Sequence, residues 1–392
     1  MKLKHLFFLV LLTFSCNSPD SDLLEIDPRD WVENKITLAE IADDIIYIPL
    51  DNHYPVIARL GQITDNSIFL FTRDGILAFN RDGKMARKIG ANGRGPGEYI
   101  YGMSFTVNNK TETVYVKDKG FIIKVYSKNG NFLRSIPLPK SEDGFDFDEI
   151  NFFNSNLFVS QSINMGHAKY NWIIIDTLGN IIKKKENSIP TFPGSTGAQG
   201  GTYKFEDKIS YWNWYDDTVY CVSPDLNYKA SFVFNLGEQR LPRSRFESPI
   251  PSEYMKQMSK YVIHGDMFET NRFLVLDYRY DKNAIALIDK KSKKIYMNYH
   301  IPDGNRPLVC GITNDIDGGI MFRLSCNSYF VENGKEYLAG LIEPLALKIH
   351  VASEAFKNST PKYTEKKKEF EKLANSLKEI DNPVLMLVKL KK

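Results

Sequence analysis

Phe79-Asn80-Arg81-Asp82-Gly83-Lys84 runs from the end of an apolar strand through a polar turn into a new strand. Asp-Gly tolerates the positive φ that a tight hairpin demands, so the stretch predicts two antiparallel strands joined directly. The same grammar returns in Tyr126-Ser127-Lys128-Asn129-Gly130-Asn131 and in Ile175-Asp176-Thr177-Leu178-Gly179-Asn180. Looser copies follow at Val222-Ser223-Pro224-Asp225-Leu226-Asn227 and Ile288-Asp289-Lys290-Lys291-Ser292-Lys293. Their starting positions, 79, 126, 175, 222 and 288, lie 47, 49, 47 and 66 residues apart. A period of roughly 40–50 residues holding several short strands is the mark of propeller blades. No helical apolar periodicity separates the strands, which excludes parallel strand–helix–strand units and leaves antiparallel sheets.

Composition agrees with a strand-rich globular chain. Of 392 residues, 43% are hydrophobic, and 25 Phe and 21 Tyr suit pleated surfaces. The formal charge of +3 leaves no basic excess to attract a polyanion, so nucleic acid is not an expected partner.

Outward from the repeats, the ends have their own signatures. Lys2, Lys4 and His5 precede the apolar run Leu6 to Leu12, then Thr13-Phe14-Ser15-Cys16. A basic start, a short apolar stretch and a small residue before the cut describe a secretory signal. The run is too short to span a bilayer as a helix. A Cys after the small residue resembles a bacterial lipobox, which makes Cys16 the candidate lipidation site. The expected organisation is a signal peptide over 1–15, a lipid-anchored tether over 16–37 and a propeller over 38–392. Leu38 to Asp43 reads as one helical turn. Ile45-Ile46-Tyr47-Ile48-Pro49 reads as a strand that closes the ring against the other terminus; its Pro suits an edge or an end. The 66-residue step implies an insertion, with a helical segment from Pro251 to about Tyr261 capped by Ser252. In Pro361–Ile380, Phe370, Leu373, Leu377 and Ile380 share one face of a helix expected to pack on the propeller. Val384–Leu390 follows as a strand.

Ile89-Gly90-Ala91-Asn92-Gly93-Arg94-Gly95-Pro96-Gly97-Glu98-Tyr99 resembles the blade-to-blade linker of NHL-type propellers. With the lipobox and the strand at each end, the chain resembles the six-bladed β-propeller lipoproteins of Gram-negative bacteria. The resemblance implies an all-β, six-bladed, NHL-like propeller with a short inserted helix and a C-terminal helix; seven blades is the alternative count. It also implies a protein of the cell envelope, lipid-anchored at the outer membrane. No reaction comes with it.

The chemistry is less legible. Tyr203, Phe205, Tyr211, Trp212, Trp214, Tyr215 and Tyr220 form the densest aromatic cluster, with Asp216-Asp217 inside it. Flat rings beside carboxylates suit sugar stacking, whereas rings filling the space between blades are the structural alternative. Tyr211, Trp212, Trp214, Tyr215 and the linker residue Arg94 are the candidate ligand contacts; Arg94 could instead pair with Glu98. The histidines are dispersed and no CxxC occurs, so neither metal nor other cofactor is expected. Cys310 and Cys326 could bridge, or remain buried thiols. No GxSxG elbow points to a serine hydrolase. The expected function is binding or scaffolding of a glycan, a peptide or an envelope protein. The alternative is a hydrolase or lyase with its site at the central channel.

Overall fold

The computed structural model describes residues 23–392 apart from 101, 103, 141–146, 192–197, 244–257, 300, 304, 305, 310 and 324–328. Cys16, the signal segment, most of the expected inserted helix, Cys310 and Cys326 lie outside the described residues. Six antiparallel sheets form the blades of a propeller. Blade 1 is Ala58–Ile63, Ser67–Thr72, Gly75–Asn80 and Met85–Ile89, and blade 2 is Ser104–Val107, Val114–Asp118, Ile122–Tyr126 and Phe132–Pro137. Blade 3 is Glu149–Phe153, Asn156–Ser160, Tyr170–Ile175 and Ile181–Glu186. Blade 4 is Ala198–Phe205, Lys208–Asn213, Asp216–Val222 and Tyr228–Phe234. Blade 5 is Ile263–Glu269, Phe273–Tyr280, Lys282–Asp289 and Ile295–Tyr299.

All five copies of the repeated turn are the hairpin between third and fourth strands of blades 1 to 5. Gly83, Gly130, Gly179 and Leu226 occupy the same corner, with φ of 86°, 85°, 102° and 63°; in the fifth copy, whose turn is one residue longer, Lys293 takes the left-handed position with φ of 60°. The looser copies therefore adopt the left-handed corner without glycine, a conformation that β-carbons disfavour. Blade 6 has no such hairpin, because its third and fourth strands come from opposite ends of the chain. Tyr329–Glu332, Lys335–Ile342 and Val384–Leu390 are completed by Ala42–Pro49, whose Ile46 pairs with Leu387. The strand expected to close the ring does so.

The blades pack face to face, so both faces of most sheets are core. Phe69, Ile76, Val114, Val116 and Tyr126 fill the space between blades 1 and 2. Phe158, Trp172, Ile209, Tyr211 and Val222 do the same between blades 3 and 4. Each fully buried aliphatic side chain contributes about 1.5–3 kcal/mol. The glycine-rich linker is one of these wedges. Tyr99 is buried; its hydroxyl accepts from the Ile76 amide at 2.9 Å and donates to the Ile89 carbonyl at 3.0 Å. It thereby ties the third and fourth strands of blade 1 together. Glu98 folds back onto the Gly95 amide at 2.8 Å, leaving Arg94 exposed instead of ion-paired with it.

The chain ends are laid on the outside. Leu24–Ile26 adds to blade 4 as a parallel outer strand, Trp31 packs on Tyr278, and Ile36 is buried. The stretch from 24 to 37, read as tether, is thus held along blades 4 and 5. Between the second and third strands of blade 6 lie three helices, Pro344–Ala352, Glu354–Lys357 and Thr364–Ser376. Phe370 of the last is buried against Tyr47 and Phe356, as the apolar face requires. Ile380, expected on that face, lies beyond the helix end and is 90% exposed.

Candidate functional site

The expected aromatic site is taken apart by the propeller geometry. Tyr211 and Trp212 alternate on their strand and point to opposite neighbours, Tyr211 toward blade 3 and Trp212 toward blade 5. They are 2% and 4% exposed, so neither offers a ring face to a ligand. Trp214 is half-buried and donates its Nε1 to the His264 carbonyl at 2.6 Å. Tyr215 is half-buried beneath the Arg243 guanidinium. Asp217 binds Arg240 at 2.6 Å, and Tyr220 stacks on Tyr228. Arg94 is exposed on the linker between blades 1 and 2, away from all of these. Among the described residues, no group of three His, Cys, Asp or Glu side chains is arranged to hold a metal ion.

A different set converges along the innermost strands of blades 3, 4 and 5. Glu149 opens the inner strand of blade 3. Its carboxylate accepts from the Ser160 and Thr202 hydroxyls, both at 3.3 Å, and Asn151 donates to Thr202 Oγ1 at 2.7 Å. Asp148, beside it, is held by the Ser162 amide at 2.7 Å. The chain after Ser160 crosses this end: Ile163-Asn164 pairs with Ala198-Gln199 on the inner edge of blade 4. Blade 5 brings Asp266 from a bulge in its inner strand and Asp277 from the adjacent strand. Neither the Asp266 nor the Asp277 carboxylate has a hydrogen bond or ion pair among the described residues, and both side chains are exposed.

Charge and burial mark this mouth as unusual. Burial, followed by the charges of Asp148 and Asp266, pushes the Glu149 carboxyl up to about 8. Burial and the charge of Asp266 push Asp277 up to about 6. Glu149 is therefore largely protonated at neutral pH, while Asp277 is largely ionised. The Tyr211 hydroxyl is buried beside Asn213 and Asn164, whose hydrogen bonds oppose the upward push of burial. It lies close enough to Glu149 that, after burial, this carboxylate adds to the upward shift of the phenol. Farther along the inner strand of blade 4, Lys204 is pushed down to about 8 by burial alone. A separate groove of about 420 Å³ lies on the outer rim, walled by Leu24, Ile26, Trp31 and Ile295.

None of the mouth residues could be assembled from linear spacing, since Glu149, Lys204, Asp266 and Asp277 come from three blades. The available signal was positional: each lies at or near an innermost strand.

Residues 23–389 match DUF4934, a domain of unknown function. The chain belongs to the DUF4934 family. No protein of curated function matches it in sequence. Among solved structures, the DUF4934 chain is similar to a protein of Bacteroides fragilis NCTC 9343 assigned as exported. Identity is 17% and the TM-score 0.64, over 94% of this chain and 99% of that one. A member of the DUF4221 family from Bacteroides vulgatus ATCC 8482 is similar at 10% identity and TM-score 0.48, over 89% and 97%. Virginiamycin B lyase from Staphylococcus aureus follows at 12% identity and TM-score 0.39, over 68% and 78%. At these identities the likeness is one of fold, and the two scores below 0.5 carry no argument about the DUF4934 chain's chemistry.

Proposed function

We propose that this protein is an exported, lipid-anchored binding module whose channel mouth captures the positively charged amine of a peptide. Export and anchoring rest on the first sixteen residues, with Cys16 as the lipidated residue. The observation that carries the binding reading is the set of uncompensated carboxylates. Asp266 and Asp277 have no bonded partner among the described residues, and both lie within electrostatic reach of other acids. The charge of Asp266 raises the proton affinity of Glu149 and Asp277, and an arriving cation relieves that repulsion. Of the glycan, peptide and envelope-partner readings, this favours a peptide amine. Glu149 lends the hydrolase or lyase alternative one support, because a carboxyl protonated at neutral pH is what a general acid requires.

Calorimetry with tri-alanine amide, which carries only the amine, tests the reading. At pH 7, in buffers of different ionisation enthalpy, binding should release up to about one proton per ligand as Glu149 ionises beside the new cation. The double variant Asp266→Asn/Asp277→Asn should bind at least about tenfold more weakly, a loss of about 1.4 kcal/mol. Absence of binding, or equal binding by the double variant, would overturn the proposal.

A further inference from the structure

The outer edge of blade 3 carries large apolar side chains that no other blade covers. Leu178 of its hairpin is 73% exposed, and Ile181 and Ile182 of its last strand are exposed beside it. The last strand of blade 2 continues the strip with Phe132 and Leu133. The two blades meet here, since Arg134 donates to the Thr177 carbonyl at 2.7 Å. Single exposed apolar residues are ordinary, whereas five on one rim mark a contact surface.

Cations frame the strip. Ile181-Ile182 runs directly into Lys183-Lys184-Lys185. Lys169 and Lys184 both stand over the Tyr170 ring, at 5.6 and 5.2 Å, and Lys185 stands over the Tyr228 ring of blade 4 at 5.4 Å. None of these four lysines meets a carboxylate among the described residues. Lysines on an edge strand guard it against pairing with another chain, but that role does not require Leu178, Ile181 and Ile182 in water. Cations flanking apolar side chains are instead what an anionic bilayer surface receives: the lysines meet phosphate while the apolar groups enter the headgroup boundary.

The course of the chain points to the same rim. Leu24–Ile26 runs parallel to Tyr228–Phe234 with Leu24 opposite Phe232, so the chain enters from the Tyr228 side. That side is the blade 4 hairpin, which Lys183 holds through the Leu226 carbonyl. Four strand residues, about 13 Å, separate Phe232 from Tyr228. Cys16 lies seven residues before Leu23, a reach of at most about 25 Å. A lipid on Cys16 would therefore bring the bilayer within reach of this edge. We propose that the outer edge of blades 2 and 3 lies on an anionic lipid surface, Leu178, Ile181 and Ile182 entering the headgroup boundary and Lys183–Lys185 meeting its phosphates. This goes beyond the amine-capture reading and shares with it only the anchor. Alone, such a contact is weak and reversible; with an acyl chain it supplies the second of the two signals that stable attachment takes. The ring then stands edge-on, with neither end of its channel against the lipid.

The test uses Cys16→Ser protein purified from the soluble fraction, which carries no acyl chain, so the rim is read separately from the anchor. It is sedimented with vesicles of phosphatidylcholine and phosphatidylglycerol in equal parts, and with vesicles of phosphatidylcholine alone. Partition onto the mixed vesicles should exceed that onto phosphatidylcholine at least about tenfold. Adding Leu178→Asp/Ile182→Asp should lower partition onto the mixed vesicles at least about tenfold. Adding Ile57→Asp/Ile380→Asp instead, at positions 89% and 90% exposed away from this rim, should leave it unchanged. Urea midpoints report that both variants are folded. No binding to mixed vesicles, equal binding to both kinds, equal binding by the rim variant, or an equal loss in the control variant would each overturn the proposal. A dimer in solution that the rim variant dissolves would assign the strip to a second copy of the chain and overturn the lipid reading as well.

Discussion

Replacing Glu149 by Gln should make the protein more stable at alkaline pH. In the unfolded chain this carboxyl titrates near 4.5, whereas in place it titrates near 8. Between these values the native state holds a proton that the unfolded state has lost, so stability falls as pH rises across that window and is flat above it. The full fall is about 5 kcal/mol, from 1.36 kcal/mol for each pH unit between the two values. The part lying between pH 5 and pH 9 is about 4 kcal/mol. Glutamine keeps an oxygen for the Ser160 and Thr202 hydroxyls and has no charge to bury. Urea unfolding followed by tryptophan fluorescence, at pH 5 and pH 9, measures both proteins. The variant should gain about 4 kcal/mol on wild type between the two conditions, with an unchanged denaturant slope. Asp277 destabilises in the same direction as pH rises toward 6. Lys204 acts with the opposite sign above pH 8. Both are present in both proteins and cancel in the difference. If the two stabilities run parallel from pH 5 to pH 9, Glu149 is an ordinary solvated carboxylate and the electrostatic account of the mouth fails.

Two further outcomes are expected. Tyr99→Phe removes the hydroxyl that serves the Ile76 amide and the Ile89 carbonyl; leaving these groups without it should destabilise the fold by about 1–3 kcal/mol in urea, with no change in peptide affinity. A Cys16→Ser protein should leave the membrane fraction and appear in the soluble fraction; persistence with membranes would refute the anchor.

What could be read from the chain alone divides along a physical line. The turn at Asp82-Gly83 and its copies are legible because a left-handed corner restricts residue choice locally, and even Leu226 keeps the spacing. Blade 6 was faint for the same reason, since its outer hairpin is replaced by a pairing of chain ends. The closing strand was legible from Pro49 and its apolar run. The aromatic cluster misleads because strand alternation in a half-exposed sheet separates one buried face from one open face. A blade is covered on both sides, so Tyr211 and Trp212 are both interior. The acids at the mouth carry no local signature at all: Glu149 and Asp266 become neighbours only because the ring curves.

The pairing of Ile46 with Leu387 joins positions 341 residues apart. Bringing such distant segments together carries about 5 kcal/mol of loop-closure entropy, and contacts of this range form slowly. Every blade but the last can mature from neighbouring sequence, yet the ring becomes rigid only when residues 384–390 meet residues 42–49. A chain still being delivered from its C-terminal side lacks that clasp. The channel mouth, which needs blades 3, 4 and 5 held at their final angles, is therefore a late product of folding. Binding competence would then report ring completion, not merely the presence of the residues that line the mouth.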